Sequence, residues 1–166
     1  MKFVLAAVLT TLAGPALAQS IALHGPDGQA ATLSAADLAA LPHVSVTATQ
    51  HGKTSTFDGV PLGDIVAKVG AAQGKAVHGP ELATVIRITA KDGYQVVLGL
   101  AETDPATRAG KVILADRADG APLKAEDGPC RIVVSDDLRP ARSARMVEKI
   151  EVIRLSNAKA AAAAHH

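Results

Sequence analysis

The chain has 166 residues, of which 48% are hydrophobic, and a formal net charge of +1 from 17 basic and 16 acidic side chains. This balance gives no general attraction to a nucleic-acid backbone, and an aromatic content of 2% leaves few rings on which bases could stack. The single cysteine, Cys130, excludes an intramolecular disulfide, so packing of a hydrophobic core must stabilise the fold.

The first eighteen residues have the pattern of a secretory signal peptide. Lys2 is followed by an apolar stretch and then by Ala16-Leu17-Ala18, which fits the small-residue cleavage pattern. We therefore expect cleavage after residue 18 and export of the mature chain to a bacterial periplasm. Residues 19–157 are expected to form a single domain. The alanine-rich tail at 158–166 is expected to lie outside that domain.

Turn and capping residues separate short apolar segments in the N-terminal part of the chain. Ile21–Leu23 and Ala31–Leu33 flank Pro26-Asp27-Gly28, which predicts a β-hairpin. Ser34 is typical of the N-cap of a short helix, which must end before Pro42.

Two further elements are predicted from periodicity. Val44 to Thr49 alternates apolar with polar residues, which is typical of a half-buried strand. Pro61 to Val69 predicts the best-defined helix, and Gly70 can end it. Its apolar residues recur on one face, at Leu62, Ile65, Val66 and Val69.

The C-terminal half is rich in predicted strands. Val85–Ala90 and Tyr94–Leu98 bracket the turn Lys91-Asp92-Gly93 and predict a second hairpin. Ala101–Arg108 predicts a short helical turn. Further strands are predicted at Val112–Ala115, Arg131–Val134 and Lys149–Leu155. Together these elements predict an α+β fold, a strand-rich domain with a mixed β-sheet and two or three short helices.

A cluster of arginines is the most informative feature of the C-terminal third. Its members lie within fifteen residues and are Arg131, Arg139, Arg142 and Arg145. Guanidinium groups match the planar oxygens of carboxylate, phosphate and sulfate, so the cluster predicts an anion site. The alternative is a solvated surface balanced by nearby carboxylates, in which Arg131 pairs with Asp127 or Glu126.

Other single residues allow more than one interpretation. Tyr94, the only tyrosine, is either a packed strand residue with a hydrated hydroxyl or part of a site. Cys130 is expected to be a small buried residue beside Ile132 rather than a nucleophile. The histidines show no metal-ligand spacing, so we predict no metal site.

Five motifs follow one another between Thr56 and Leu155. They are FDGVPLGDIV at 57–66, DGYQVVLGLAE at 92–102, VILAD-x-x-DG-x-PL at 112–123, DGP-x-R-IVV at 127–134 and ARSARMVEKIEVI at 141–153. In this order and spacing they resemble the oxidoreductase molybdopterin-binding domain of the sulfite oxidase family.

The resemblance implies a sulfite-oxidase-like molybdopterin-domain fold, a molybdopterin cofactor and oxidoreductase chemistry. Tyr94 matches a tyrosine that lies beside the metal in that family, and Arg131 matches an arginine after the G-x-P element, which makes both catalytic candidates. Arg142, Ser143 and Arg145 match the loop that meets the pterin phosphate, which makes them candidates for cofactor binding.

The chain departs from the family at the cysteine that ligates molybdenum, and this departure leaves two functional hypotheses. The family's molybdenum-ligating cysteine would fall around Ala48 to Gln50, where this chain has none, and Cys130 precedes a different strand. The first function is a periplasmic protein that binds a pterin cofactor or another small anion, with oxidoreductase activity open. The alternative is a non-catalytic sensory or interaction domain with a periplasmic or membrane redox or sensor protein as partner. In neither function does the chain bind nucleic acid, and in neither is it itself an integral membrane protein.

Overall fold

A computed structural model describes residues 20–155; the predicted signal peptide at 1–18 and the predicted tail at 158–166 lie outside the described residues. The helices are α1 (Ala35–Ala40) and α2 (Leu62–Ala67). The strands are β1 (Ser20–His24), β2 (Ala30–Ser34), β3 (Val44–Gln50), β4 (Lys53–Pro61), β5 (Thr84–Ala90), β6 (Gln95–Gly99), β7 (Val112–Ala118), β8 (Ala121–Pro122), β9 (Arg131–Val134) and β10 (Val147–Arg154). Across this range, no helix is both long and apolar enough to cross a membrane.

The strands form two sheets. The first has the order β2-β1-β10-β5-β6, with β1 and β10 parallel and the other neighbours antiparallel. The second has the order β3-β4-β7-β8, with β9 also paired to β7, and it is antiparallel throughout. The strand-rich α+β architecture with a mixed sheet is therefore confirmed.

The main core lies between the two sheets and under α2. Ile88 of β5, Ile150 of β10 and Leu114 of β7 are at most 1% exposed and belong to one cluster with Ile65 of α2. A second, smaller cluster covers the opposite face of the second sheet. Its members are Val46, Ala48, Phe57, Ile113, Ala115 and Val133. Because β7 contributes to both clusters, its first four residues are all buried.

Local signals correctly predicted five elements of the N-terminal part, with changes at their ends; these are β1, β2, α1, β3 and α2. The hairpin of β1 and β2 is confirmed. Ser34 caps α1 in a reciprocal arrangement, because the Asp37 N–H donates to Ser34 Oγ at 3.1 Å and the Ser34 N–H donates to Asp37 Oδ2 at 2.9 Å. The predicted helix at 61–69 is shorter, since Pro61 is its N-cap and its end tightens into a turn in which the Val69 N–H bonds to the Val66 carbonyl at 3.1 Å.

Strand β4 was not predicted from the sequence, although it lies centrally in the second sheet. Its first half, Lys53 to Thr56, is polar and shows no apolar alternation. It forms a strand because β3 and β7 pair with it on either side, and such tertiary context overrides a weak local preference. The register shifts between Asp58 and Gly59, and a Cβ at position 59 would meet the backbone of Leu114 and Ala115 in β7.

Candidate functional site

A cavity of about 990 Å³ opens at the end of the second sheet where β3 turns into β4. Its walls come from five parts of the chain: the β3–β4 turn with the following part of β4, the β5–β6 turn, the segment 118–127, Arg131 at the start of β9 and the loop 139–146. These parts are far apart in the sequence, and the pairing of the strands brings their ends together.

Four of the five predicted site residues line the cavity. Tyr94, Arg131, Ser143 and Arg145 line it, whereas Arg142 does not. Ser143 is only 6% exposed, so the loop is packed against the domain at that point. The catalytic and cofactor-binding roles assigned to these residues stay predictions, but four of them share one cavity.

Backbone pairing explains why Arg131 and Arg145 are neighbours. The Ile132 N–H donates to the Ala144 carbonyl at 2.8 Å, and an antiparallel bridge joins residues 131 and 145. The start of β9 thus pairs with the loop before β10. Residues opposite each other in such a bridge hold their side chains close together, so both guanidinium groups reach the same cavity.

The Arg131 side chain is fixed from three directions. Its Nη2 donates to Gln50 Oε1 at 2.8 Å, its Nη1 lies 3.3 Å from Asp127 Oδ1, and its guanidinium carbon lies 5.4 Å from the centre of the Phe57 ring. The residue is 6% exposed, and its Nε is buried with no hydrogen-bond partner among residues 20–155. Burial lowers the pKa of Arg131, Asp127 partly offsets that change and Arg145 adds to it.

Positive charge exceeds negative charge at this point of the cavity. Asp127 Oδ1 is shared, because it lies 3.3 Å from Arg131 Nη1 and 3.5 Å from Arg145 Nη1. One carboxylate therefore faces two guanidinium groups. Five cationic side chains line the whole cavity against four acidic ones, and the lining residues concerned are Lys53, Lys124, Arg131, Arg139 and Arg145, with Asp92, Asp119, Glu126 and Asp127.

Tyr94 fastens the β5–β6 turn to the loop 139–146. Its hydroxyl donates to the Ala141 carbonyl at 2.7 Å, and its backbone N–H is held by Asp92 Oδ1 at 3.0 Å. The ring remains half exposed. The hydroxyl proton is used in this bond, so the tyrosine acts here as a positioning residue for the loop.

Arg142 is placed differently from the sequence prediction. Its guanidinium donates to Asp137 at 2.6 and 2.9 Å and to Glu102 Oε2 at 2.8 Å. These bonds raise the pKa of Arg142, with the Asp137 bond as the largest cause. Two carboxylates already neutralise this arginine, and it does not line the cavity. Its assignment to a cofactor phosphate stays a prediction, at a position outside this cavity.

Cys130 lies on the other side of β9 from Arg131. It is 2% exposed in the main core, and its thiol donates to the Val147 carbonyl at 3.7 Å. Burial raises the pKa of this thiol to about 12, so it remains protonated near neutral pH. It does not line the cavity. The expectation of a small buried residue is confirmed.

The cavity fits the anionic part of a molybdopterin better than its metal. The buried, unpartnered Nε of Arg131 and the shared Asp127 suit a phosphate or another anion. Molybdenum favours thiolate ligands, and Cys130 cannot reach the cavity. Within residues 20–155 no group of three or more His, Cys, Asp or Glu side chains could hold a metal ion.

Sequence reasoning missed two residues that shape the cavity. Gln50 ends β3 and accepts from Arg131, and Phe57 of β4 lies beneath the same guanidinium. Phe57 stood within a quoted motif, and Gln50 stood where the family's cysteine was sought. The alternation of β3 could have indicated Gln50, because it places Gln50 on the same face of the strand as the buried residues Val46 and Ala48.

A mixed sheet packed on an antiparallel sheet, with a cavity at one end in which cationic side chains outnumber acidic ones, defines a small α+β domain. The chain belongs to the family described as "Oxidoreductase molybdopterin binding domain", whose model matches residues 16–160. The family resemblance drawn from the five motifs is thereby confirmed.

A solved structure supports the same fold. The chain is similar to the sulfane dehydrogenase SoxCD from Paracoccus pantotrophus, with a TM-score of 0.64 and 16% sequence identity. The similarity covers 82% of this chain and 38% of the SoxCD chain, so this chain corresponds to a minor part of that protein. No curated protein sequence matches the chain.

Proposed function

We propose that this domain binds an anionic ligand in the cavity formed by the β3–β4 turn and the loop 139–146. The sharing of Asp127 between Arg131 and Arg145 carries the proposal. A buried guanidinium with only a shared counter-ion is stabilised when a further anion approaches, because that anion offsets part of the cost of burying the charge. The phosphate of a pterin cofactor and a free small anion would present the same chemistry to this site.

Phosphate and sulfate are therefore expected to raise the melting temperature of the purified domain. A ligand at one hundred times its Kd adds about 2.7 kcal/mol to the free energy of unfolding. Differential scanning calorimetry at constant ionic strength, with chloride as the reference salt, measures this effect.

Arg145→Gln should reduce the shift in melting temperature, since it removes one of the two cations at Asp127. Arg117→Gln is the matched control, because Arg117 is exposed and does not line the cavity. Equal shifts in both variants would contradict the proposal.

The cavity could serve either of two uses, and the position of Cys130 supports one of them. An oxidoreductase of this family would hold molybdenum as well as pterin, whereas a non-catalytic sensory or interaction domain would hold only an anion. The burial of Cys130 away from the cavity favours the second use. Leu138 is 99% exposed one residue before the cavity-lining Arg139, which gives a protein partner an apolar contact beside the ligand.

Metal and pterin analysis of the whole protein separates these two uses. The protein is produced in cells supplied with molybdenum and is analysed without further treatment. Stoichiometric molybdenum with pterin would support the oxidoreductase. Metal-free and pterin-free protein that still responds to phosphate would support the non-catalytic domain.

We also propose that the domain works in the bacterial periplasm. The charged start, apolar stretch and Ala16-Leu17-Ala18 of the sequence support this location. The expected result is that the protein is recovered in the periplasmic fraction with Gln19 as its first residue, as read by N-terminal sequencing. Recovery of the intact chain beginning at Met1 in the cytosolic fraction would overturn it.

A further inference from the structure

We propose that Gln50 is a ligand-binding residue and that, with Arg131, it makes the cavity a site for the head group of a metal-free organic oxyanion. This inference rests on the proposed function, because it specifies what binds in the same cavity and through which atoms. Gln50 lies outside the five sequence motifs and was not among the predicted site residues.

The orientation of the Gln50 amide follows from its partner. A guanidinium group has only N–H donors, so the amide must present its oxygen to Arg131, as it does at 2.8 Å from Nη2. The amide nitrogen with its two N–H groups then points away from Arg131. Gln50 lines the cavity and is partly exposed, which lets those N–H groups meet a ligand there.

This arrangement is opposite in chemistry to a metal centre. Gln50 Oε1 already accepts one hydrogen bond from Arg131, and a metal ion on its second lone pair would lie beside that guanidinium, whose positive charge repels cations. This buried guanidinium is also donor-only. The donors of Gln50, Arg131 and Arg145 thus face one nearby carboxylate, Asp127, and this excess of donors favours an oxyanion over a cation.

The size and lining of the cavity indicate that the ligand is larger than an inorganic ion. A volume of about 990 Å³ is typical of cavities that hold an organic molecule. Apolar side chains, among them Phe57, Leu123 and Met146, line the cavity beside the charged residues. We therefore infer a carboxylate, phosphate or sulfonate head at Gln50 and Arg131 and an organic body against the apolar wall.

Two probes test the head and the body separately. Isothermal titration calorimetry compares phenyl phosphate with inorganic phosphate on the full chain. We expect phenyl phosphate to bind at least tenfold more tightly, since only its ring can use the apolar wall. Equal affinities would overturn the organic body of the ligand.

Two substitutions of Gln50 test the role of its amide. Gln50→Glu keeps an oxygen that can accept from Arg131 but replaces the N–H donors with negative charge, so phenyl phosphate affinity should fall at least tenfold. Gln50→Met removes the donors without adding charge and should weaken binding at least threefold. Thr49→Val is the control, because Thr49 is exposed on the opposite face of β3 and bonds to Thr54.

The outcomes separate this inference from the proposed function. If wild-type protein binds neither probe, both are overturned. If wild-type protein binds phenyl phosphate, and both Gln50→Glu and Gln50→Met bind it with the same affinity as wild type, the role of Gln50 is overturned. The anion site then stands. Retained folding of each variant is checked by its circular dichroism melting curve. Stoichiometric molybdenum in the wild-type protein would overturn the inference that the ligand contains no metal.

Discussion

Gly59→Ala is expected to lower the free energy of unfolding by about 3 kcal/mol or more, which is the largest stability effect we predict for a single methyl group. A Cβ at position 59 would lie 2.3 Å from the Leu114 carbonyl oxygen and 2.5 Å from the Ala115 Cα. Both atoms belong to the backbone of β7, which is buried on both faces and cannot shift without disturbing both hydrophobic clusters.

Gly99→Ala is the matched control for this substitution. Gly99 also lies in a strand, but the nearest atoms to an added Cβ belong to the Glu102 side chain at 3.8 Å, which is ordinary contact. We expect a change within about 0.5 kcal/mol, in either direction. Urea unfolding with a common m-value gives both free energies. A Gly59→Ala midpoint equal to that of Gly99→Ala would show that β4 and β7 separate easily at this position.

The close approach at Gly59 also matters for the cavity. It sets the distance between β4 and β7 two residues after Phe57, whose ring lies beneath Arg131. The GVPL motif therefore needs glycine at position 59 because the backbone of β7 leaves no room for a Cβ, and the sequence does not reveal this. A motif glycine at a turn would look the same in the sequence as this one in a central strand.

Local signals predicted the elements whose ends carry turn or capping chemistry. The hairpin of β5 and β6 follows from Asp92-Gly93, and α1 follows from Ser34. The pairing of β1 with β10 joins ends of the domain separated by more than one hundred residues, and no local pattern encodes it. Strand β4 was missed for the related reason that its polar first half is fixed by neighbours on both sides.

The arginine cluster shows where sequence reasoning about the site ends. Arg142 ends a single 3₁₀ turn and Arg145 forms an isolated bridge with Arg131, and both segments are too short for a period of two or of 3.6 to indicate the direction of a side chain. The structure directs Arg145 into the cavity and Arg142 to Asp137 and Glu102. Composition and motif order predicted an anion site, but only strand pairing determines which guanidinium groups line the cavity proposed for it.

Substitutions of Arg131 and Arg142 are expected to have opposite consequences. Arg131→Gln should weaken phenyl phosphate binding by about 100-fold, because a buried hydrogen bond to a charged group contributes about 1.5–3 kcal/mol and the local positive charge is lost as well. The domain should stay folded, since Asp127 keeps Arg145 as a partner. Arg131→Lys keeps the charge without the forked geometry and should bind with intermediate affinity.

Arg142→Gln should leave phenyl phosphate binding unchanged and lower the free energy of unfolding by about 1 kcal/mol, because Asp137 and Glu102 lose a shared partner near the surface. Titration calorimetry and urea unfolding on the same preparations measure both quantities for each variant. If Arg142→Gln abolishes binding while Arg131→Gln does not, the ligand lies on the Arg142 side of the loop. The cavity beside Gln50 would then have no role in binding it, because a ligand there must contact the guanidinium that Gln50 holds in place.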